Sequence, residues 1–211
     1  MKSILTDLIE KIHALEFELE QEIKAKQASF PFQRVGRKIR FETLLRQYHK
    51  AQKTGLFRYL RETDLATYLT APAIYSIIVP IVVSDLFFSI YQRICFPAYG
   101  IPLVNRSDYI LVDRHHLSYL NVIEKFNCIY CGYANGTIAY VQEIASRTEQ
   151  YWCPIKHAGK VVAAHKRYIH FLEYGDADGY RGKLEEIRSD VRAGHHSKQN
   201  PTEKDNDRSD G

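Results

Sequence analysis

The sequence of 211 residues lacks the motifs that mark several common enzyme classes. It contains no glycine-rich loop of the Walker type, no G-x-G-x-x-G, no H-E-x-x-H and no G-x-S-x-G. These absences remove the usual basis for nucleotide, dinucleotide, zinc-protease and serine-hydrolase chemistry.

The chain also has few cysteines, a small net charge and little apolar sequence near its N-terminus. There are four cysteines, too few for a disulfide scaffold in a chain of this length. The formal net charge of +4 falls short of what a dedicated nucleic-acid-binding domain shows, so no nucleic-acid partner is predicted. The first residues are acidic and helix-forming, which predicts no cleavable signal peptide. Any membrane attachment would then come from an internal segment.

One long apolar run is present, at 71–91, with the sequence APAIYSIIVPIVVSDLFFSIY and Asp85 as its single charge. A bilayer span needs about 20 mostly apolar residues. The run fits a transmembrane helix kinked at Pro80, a re-entrant hairpin that enters and leaves the same face, or a buried helix of a soluble protein. We predict a membrane segment over 70–97, transmembrane or re-entrant, with membrane lipid as a partner.

Basic residues cluster ahead of this run. From Arg34 to Arg61 there are nine lysines and arginines and one acid, Glu42. Such a cluster fits an anionic membrane surface, and equally a solvated helical face. The positive-inside rule predicts a membrane protein with its N-terminus in the cytoplasm. Asp85 either has a function or lies at a bend or near the interface, because an unpaired carboxylate in hydrocarbon is costly.

The residue pattern predicts a mostly α-helical, membrane-associated protein in four parts. Residues 1–69 form a basic helical region, 70–97 the membrane segment, 105–192 a small domain containing the cysteine and histidine motifs, and 193–211 a polar, disordered tail. Within these parts we expect helices near 3–27, 39–53, 56–69, 116–127, 135–151, 161–174 and 180–192, and a strand at 109–112.

The first helix carries an apolar seam with alternating spacings of three and four residues. It consists of Leu5, Leu8, Ile12, Leu15 and Leu19. Two heptads favour an amphipathic helix that packs on its own protein. The alternative is a protein partner bound through this N-terminal helix.

Two cysteine motifs in the C-terminal half predict a metal site. Cys128 and Cys131 form a C-x2-C, and Cys153 and His157 form a C-x3-H. A tight turn can aim two thiolates at one ion, and the following Gly132 would ease that turn. Three thiolates and one imidazole suit tetrahedral zinc, with iron as the alternative cofactor. The cysteines could instead be a redox pair or apolar filler.

The predicted metal site depends on how the chain folds between the C-x2-C and the C-x3-H motifs. A helix of about 17 residues from Asn135 would carry the chain roughly 25 Å away from Cys131. The helix must therefore be short, broken or folded back. Otherwise Cys153 and His157 would join the polar cluster at 113–116, and the C-x2-C would be a separate pair.

Two further polar groups accompany these motifs. Asp113, His115 and His116 could join a site, or form a polar loop in which Asp113 or Ser118 caps the next helix. That cluster is followed by Asn121 and Glu124. Glu143 and Arg147 stand four residues apart and can pair, at the surface or as support behind the cysteines.

These features predict a membrane-anchored metal-binding module with a partner that the sequence does not identify. The alternative is a membrane-associated redox or metal-dependent enzyme that uses the C-x2-C pair with nearby histidine and aspartate residues. No catalytic residue is assigned by the sequence.

Overall fold

The computed structural model describes residues 4–28, 32–35, 38–41 and 43–194 of the protein. The described chain is mostly helical, as the sequence predicts. It divides into two compact units, one of Met1–Glu62 with Asp113–Phe126 and the other of Thr63–Val112 with Asn127–Gly211. A separate cysteine- and histidine-containing domain over 105–192 is not shown by this division.

The first unit contains helices and one short hairpin. Its elements are α1 (Ile4–Ala28), β1 (Phe32–Val35), β2 (Lys38–Phe41), α2 (Thr43–Ala51) and α3 (Leu56–Glu62). The strands pair antiparallel, with Phe32 opposite Phe41. The helix predicted at 39–53 therefore starts later. Charged and apolar residues alternate in Lys38–Phe41, and this period of two suits a strand better than a helix.

An apolar segment begins the second unit and is split into two helices, α4 (Leu65–Ser76) and α5 (Ile78–Tyr99). The split lies where Pro80 requires it, because a proline ring clashes with the carbonyl four residues before it, here that of Ser76. Pro80 itself stands in the first turn of α5, where its missing N–H is harmless. The helix ends at Gly100, whose φ of 72° lies in the left-handed region.

Helix α6 (Val122–Trp152) is continuous, although the sequence predicts separate helices at 116–127 and 135–151. It begins late because Asn121 and Glu124 cap it. The Glu124 N–H donates to Asn121 Oδ1 at 3.0 Å, and the Asn121 N–H donates to Glu124 Oε2 at 2.7 Å. The polar residues beside the predicted histidine cluster are thus a capping box, and neither Asp113 nor Ser118 is the cap.

The chain from Ile101 to Val112 returns along α5 and crosses α6 at Gly136. A Cβ on Gly136 would lie 2.7 Å from the Tyr109 carbonyl oxygen and 2.8 Å from Ile110 Cα. The predicted strand at 109–112 is absent, because this segment packs across a helix and has no partner strand beside it.

The last described helix is α7 (Ala177–Ala193), which is capped by Asp176 through the Gly179 N–H at 2.8 Å. The helix predicted at 161–174 is a loop with a short 3₁₀ helix at Lys166–His170. Residues 195–211 of the predicted tail lie outside the described residues. The core of this unit joins α5, the return segment, α6 and α7. Its buried cluster consists of Phe96, Ile101, Val104, Tyr140, Ile144, Tyr151 and Val191.

Candidate functional site

Helix α5 buries two polar residues and exposes most of its apolar ones. Asp85 and Gln92 are buried, together with Phe96. The opposite face is exposed by 47–68% at each of Val79, Val82, Val83, Leu86, Phe87, Ile90 and Ile94. Within the described residues, only the helical segment Leu65–Tyr99, which comprises α4 and α5, is long and apolar enough to cross a membrane by length and composition. Its most apolar window has a mean hydropathy of 2.1, and 6% of that window is buried. Exposed apolar area on this scale marks an interaction surface.

Asp85 is held by the return segment and by α6. Arg106 donates from Nη2 to Asp85 Oδ2 at 2.7 Å and from Nε to Oδ1 at 3.1 Å. Tyr133 donates its hydroxyl to Asp85 Oδ2 at 2.9 Å. The guanidinium also lies 5.9 Å from the centroid of the Tyr133 ring. Asp85 is therefore a paired carboxylate, although neither partner is evident from the sequence.

A second set of hydrogen bonds, centred on Gln92, follows two turns further along α5. The Gln92 amide binds both backbone groups of Val104, accepting from its N–H at 2.9 Å and donating to its carbonyl at 3.2 Å. It also donates to the Tyr140 hydroxyl, which lies 3.2 Å from Ser89 Oγ. Since buried polar groups need partners, these bonds fix the return segment between α5 and α6.

A charged cluster lies on the buried side of α6, within the second unit. Glu143 Oε1 accepts from Arg147 at 2.8 Å and from Arg167 at 2.6 Å. Arg167 also donates to Gln150 at 3.0 Å, and Arg147 to the Pro102 carbonyl at 2.7 Å. Burial alone would raise the pKa of Glu143, but the two arginines outweigh it and the net shift of this pKa is downward.

This cluster corrects one prediction and adds residues that the sequence does not reveal. Glu143 and Arg147 pair as their spacing predicts, but both arginines of the cluster are buried, so the pair is not a surface ion pair. The pair does not serve as support behind the cysteines, because Glu143 also accepts from Arg167, which in turn donates to Gln150. Beside it, His165 Nε2 lies 2.8 Å from Glu149 Oε2.

An open groove of about 470 Å³ lies between α5 and α6. Its walls are Phe87, Phe88 and Tyr91 of α5 and Ala145, Thr148, Glu149 and Trp152 of α6. The Tyr91 hydroxyl lies 3.0 Å from Thr148 Oγ1. Because Phe87 also belongs to the exposed face of α5, the groove extends that apolar surface onto α6.

The four residues predicted to bind zinc or iron are not brought together. Cys128 and Cys131 lie in the first half of α6, whereas Cys153 and His157 follow its end. At about 1.5 Å per residue, the unbroken helix carries the chain roughly 33 Å between Cys131 and Cys153. All four cysteines are free thiols. The break or return that the metal site requires is missing, because neither Gly132 nor Gly136 interrupts the helix.

The remaining cysteine and histidine residues have other neighbours. The His157 N–H donates to the Tyr168 hydroxyl at 2.7 Å, and the two rings stack. His115 and His116 lie in a 3₁₀ helix with ring centroids 3.9 Å apart. Within the described ranges, no group of three or more histidine, cysteine, aspartate or glutamate residues could hold a metal ion. The alternative that Cys128 and Cys131 form a redox pair stays a prediction.

Sequence reasoning misses Arg106, which pairs with the buried Asp85, and Arg167, which joins Arg147 on the half-buried Glu143. One signal was available for Arg106. Asp85 is the single charge in an apolar run, and a buried acid needs a cation. Arg93 and Arg106 are the nearest cations that follow the run. No comparable signal marks Arg167, which reaches Glu143 only through the fold of the 153–172 loop.

No family model, no curated protein and no solved structure matches this chain.

Proposed function

We propose that this protein is a monotopic membrane protein, which lies on one side of a bilayer and is held there by the apolar face of α4 and α5. The polarity of α5 is the observation that carries the proposal. Exposure of its valine, leucine, isoleucine and phenylalanine side chains to water is unfavourable, whereas their contact with lipid is favourable. Polar groups next to lipid need hydrogen-bond partners, and the buried Asp85 and Gln92 have them.

The return segment favours attachment in the plane of the membrane over a complete span. Asn105, Arg106, Ser107 and Asp108 are exposed, and they lie beside Asp85 near the middle of the apolar segment. A helix that crossed the bilayer upright would carry these polar side chains into hydrocarbon at a high cost. An in-plane helix keeps them in water and places its apolar face about 5–10 Å into the membrane.

Charge supports a cytoplasmic location for the whole chain. The basic stretch from Arg34 to Arg61 suits the anionic lipids of the cytoplasmic leaflet, where each cation near the surface contributes about 1 kcal/mol. In a monotopic protein no segment crosses, so the N-terminus and the residues after α5 share one side. The protein then acts as a membrane-bound scaffold that displays its N-terminal region at the bilayer surface.

Labelling of Cys153 tests this topology. Cys153 is exposed and follows α6. In a chain where the other three cysteines are serine, sealed right-side-out vesicles should not react with a membrane-impermeant maleimide, and inside-out vesicles should react fully. The protein should pellet with both vesicle preparations. A transmembrane α5 predicts the reverse labelling, since it places residues after 98 outside.

A matched variant controls for vesicle orientation. Exposed Gln52, just after α2 in the basic region, can be changed to cysteine in a chain whose four native cysteines are all serine. A monotopic protein requires Gln52→Cys and Cys153 to label from the same face. Opposite faces, or protein in the soluble fraction, would overturn the proposal.

A further inference from the structure

The apolar seam of α1 lies at the surface of the first unit. Leu8, Ile12, Leu15 and Leu19 are each exposed by 49–64%. The simpler expectation, a seam that packs on its own protein, is therefore not what the structure shows. Leucine and isoleucine at heptad spacing on a helix of 25 residues are typical of a surface that another helix covers.

The heptad positions indicate which kind of helix fits. With Ile12 and Leu19 at position a, Leu8 and Leu15 fall at position d. A β-branched residue at a with leucine at d favours a two-stranded parallel coiled coil. Ile12 is the β-branched residue among the a positions, so the pattern favours two helices when the arrangement is parallel.

Charge at the flanks of the seam fits a second copy of the same chain. In this register Lys11 is at position g and Glu16 at position e of the next heptad. In a parallel dimer, residue g of one helix faces residue e of the following heptad in the other. Lys11 therefore faces the Glu16 of the second copy, and the pair occurs twice by symmetry.

We propose that two copies of this protein associate through a parallel coiled coil formed by their α1 helices. Two heptads of seam form a weak interface. Attachment to one membrane, as inferred above, raises the effective concentration of the two helices without any new contact. The dimer depends on the proposed membrane attachment for this concentration, and the register and direction of the coiled coil come from α1 alone.

Disulfide formation from engineered cysteines tests the inference in full-length, membrane-bound protein whose native cysteines are serine. Leu8→Cys and Leu19→Cys should each give a covalent dimer under mild oxidation, because a parallel coiled coil places each position beside itself. Glu20→Cys, at position b and so away from the seam, should give at least tenfold less. Adding Ile12→Glu to Leu8→Cys should reduce the dimer to the level of that control.

The outcomes separate this inference from the proposed topology. Crosslinks only in a mixture of Leu8→Cys and Leu19→Cys chains would indicate antiparallel helices and overturn the proposal, as would no crosslink above the Glu20→Cys level. Membrane pelleting of every variant is scored independently and reports the attachment alone.

Discussion

Asp85 illustrates how far a single residue can be interpreted from sequence. Its isolation in an apolar run predicts that it needs a partner or a wet environment, and the structure supplies Arg106 and Tyr133. The partners themselves could not be predicted. They depend on the left-handed turn at Gly100, which sends the chain back along α5, and on the register in which α6 packs. A sequence therefore shows that a buried charge must be balanced before it shows which residue balances it.

The pH dependence of stability should isolate the contribution of Glu143. Its pKa is lowered in the folded protein, so the stabilisation is complete above the unfolded pKa near 4.3 and is lost as the pH falls through the lower folded value. Glu143→Gln leaves two buried arginines without a carboxylate, which should cost about 3 kcal/mol at pH 7. The difference in thermal midpoint between the two proteins, measured in detergent, should shrink steadily below about pH 4.

An exposed acid provides the control for this measurement. Glu185 binds Arg192 at 2.8 Å, but its side chain is largely in solvent. Glu185→Gln should change stability far less than Glu143→Gln does, at any pH. A Glu143→Gln effect as small as that of Glu185→Gln would contradict the buried ion-pair cluster.

At the scale of elements, α6 shows why the predicted metal site depends on one helix. The spacings of the cysteine motifs were compatible with a common site only if the chain turned back between them. Glycine lowers helix propensity by about 1 kcal/mol, yet Gly132 and Gly136 both remain helical. Packing against the return segment overrides the local preference, and that packing involves residues distant in sequence.

Substitution of Gly136 by alanine should destabilise the protein, although alanine is the better helix former. The new methyl group would meet the Tyr109 carbonyl oxygen and the Ile110 backbone closer than any normal contact. Overpacking of this kind costs about 1–3 kcal/mol, which exceeds the gain in helix propensity. Gly182→Ala in α7, where nothing lies within 4 Å, should instead stabilise by up to about 1 kcal/mol. Thermal unfolding midpoints that shift in the same direction for both variants would contradict the close packing at Gly136.

At the scale of the molecule, the mostly helical character and the apolar segment follow from composition and periodicity alone. The division into units does not. The first unit includes Asp113–Phe126 from the middle of the chain, so its boundaries cannot be predicted from local composition. The orientation of the apolar face is similarly non-local. Hydropathy identifies α4 and α5, but only the positions of Asp85, Gln92 and Arg106 show which side of α5 is buried and which is exposed.

Arginine substitutions on the two sides of the second unit should separate the lipid-facing from the water-facing surface. Leu86→Arg combined with Ile90→Arg removes two apolar side chains from the membrane, at about 2 kcal/mol each, and should lower the membrane partition coefficient roughly a thousandfold. Ser107→Arg, on the exposed return segment beside Asp85, should leave partition unchanged. The two variants are compared by co-sedimentation with anionic vesicles. Only protein whose thermal midpoint is native-like is compared. If Ser107→Arg releases the protein as strongly as the double variant does, the return segment lies in lipid and the in-plane arrangement is wrong.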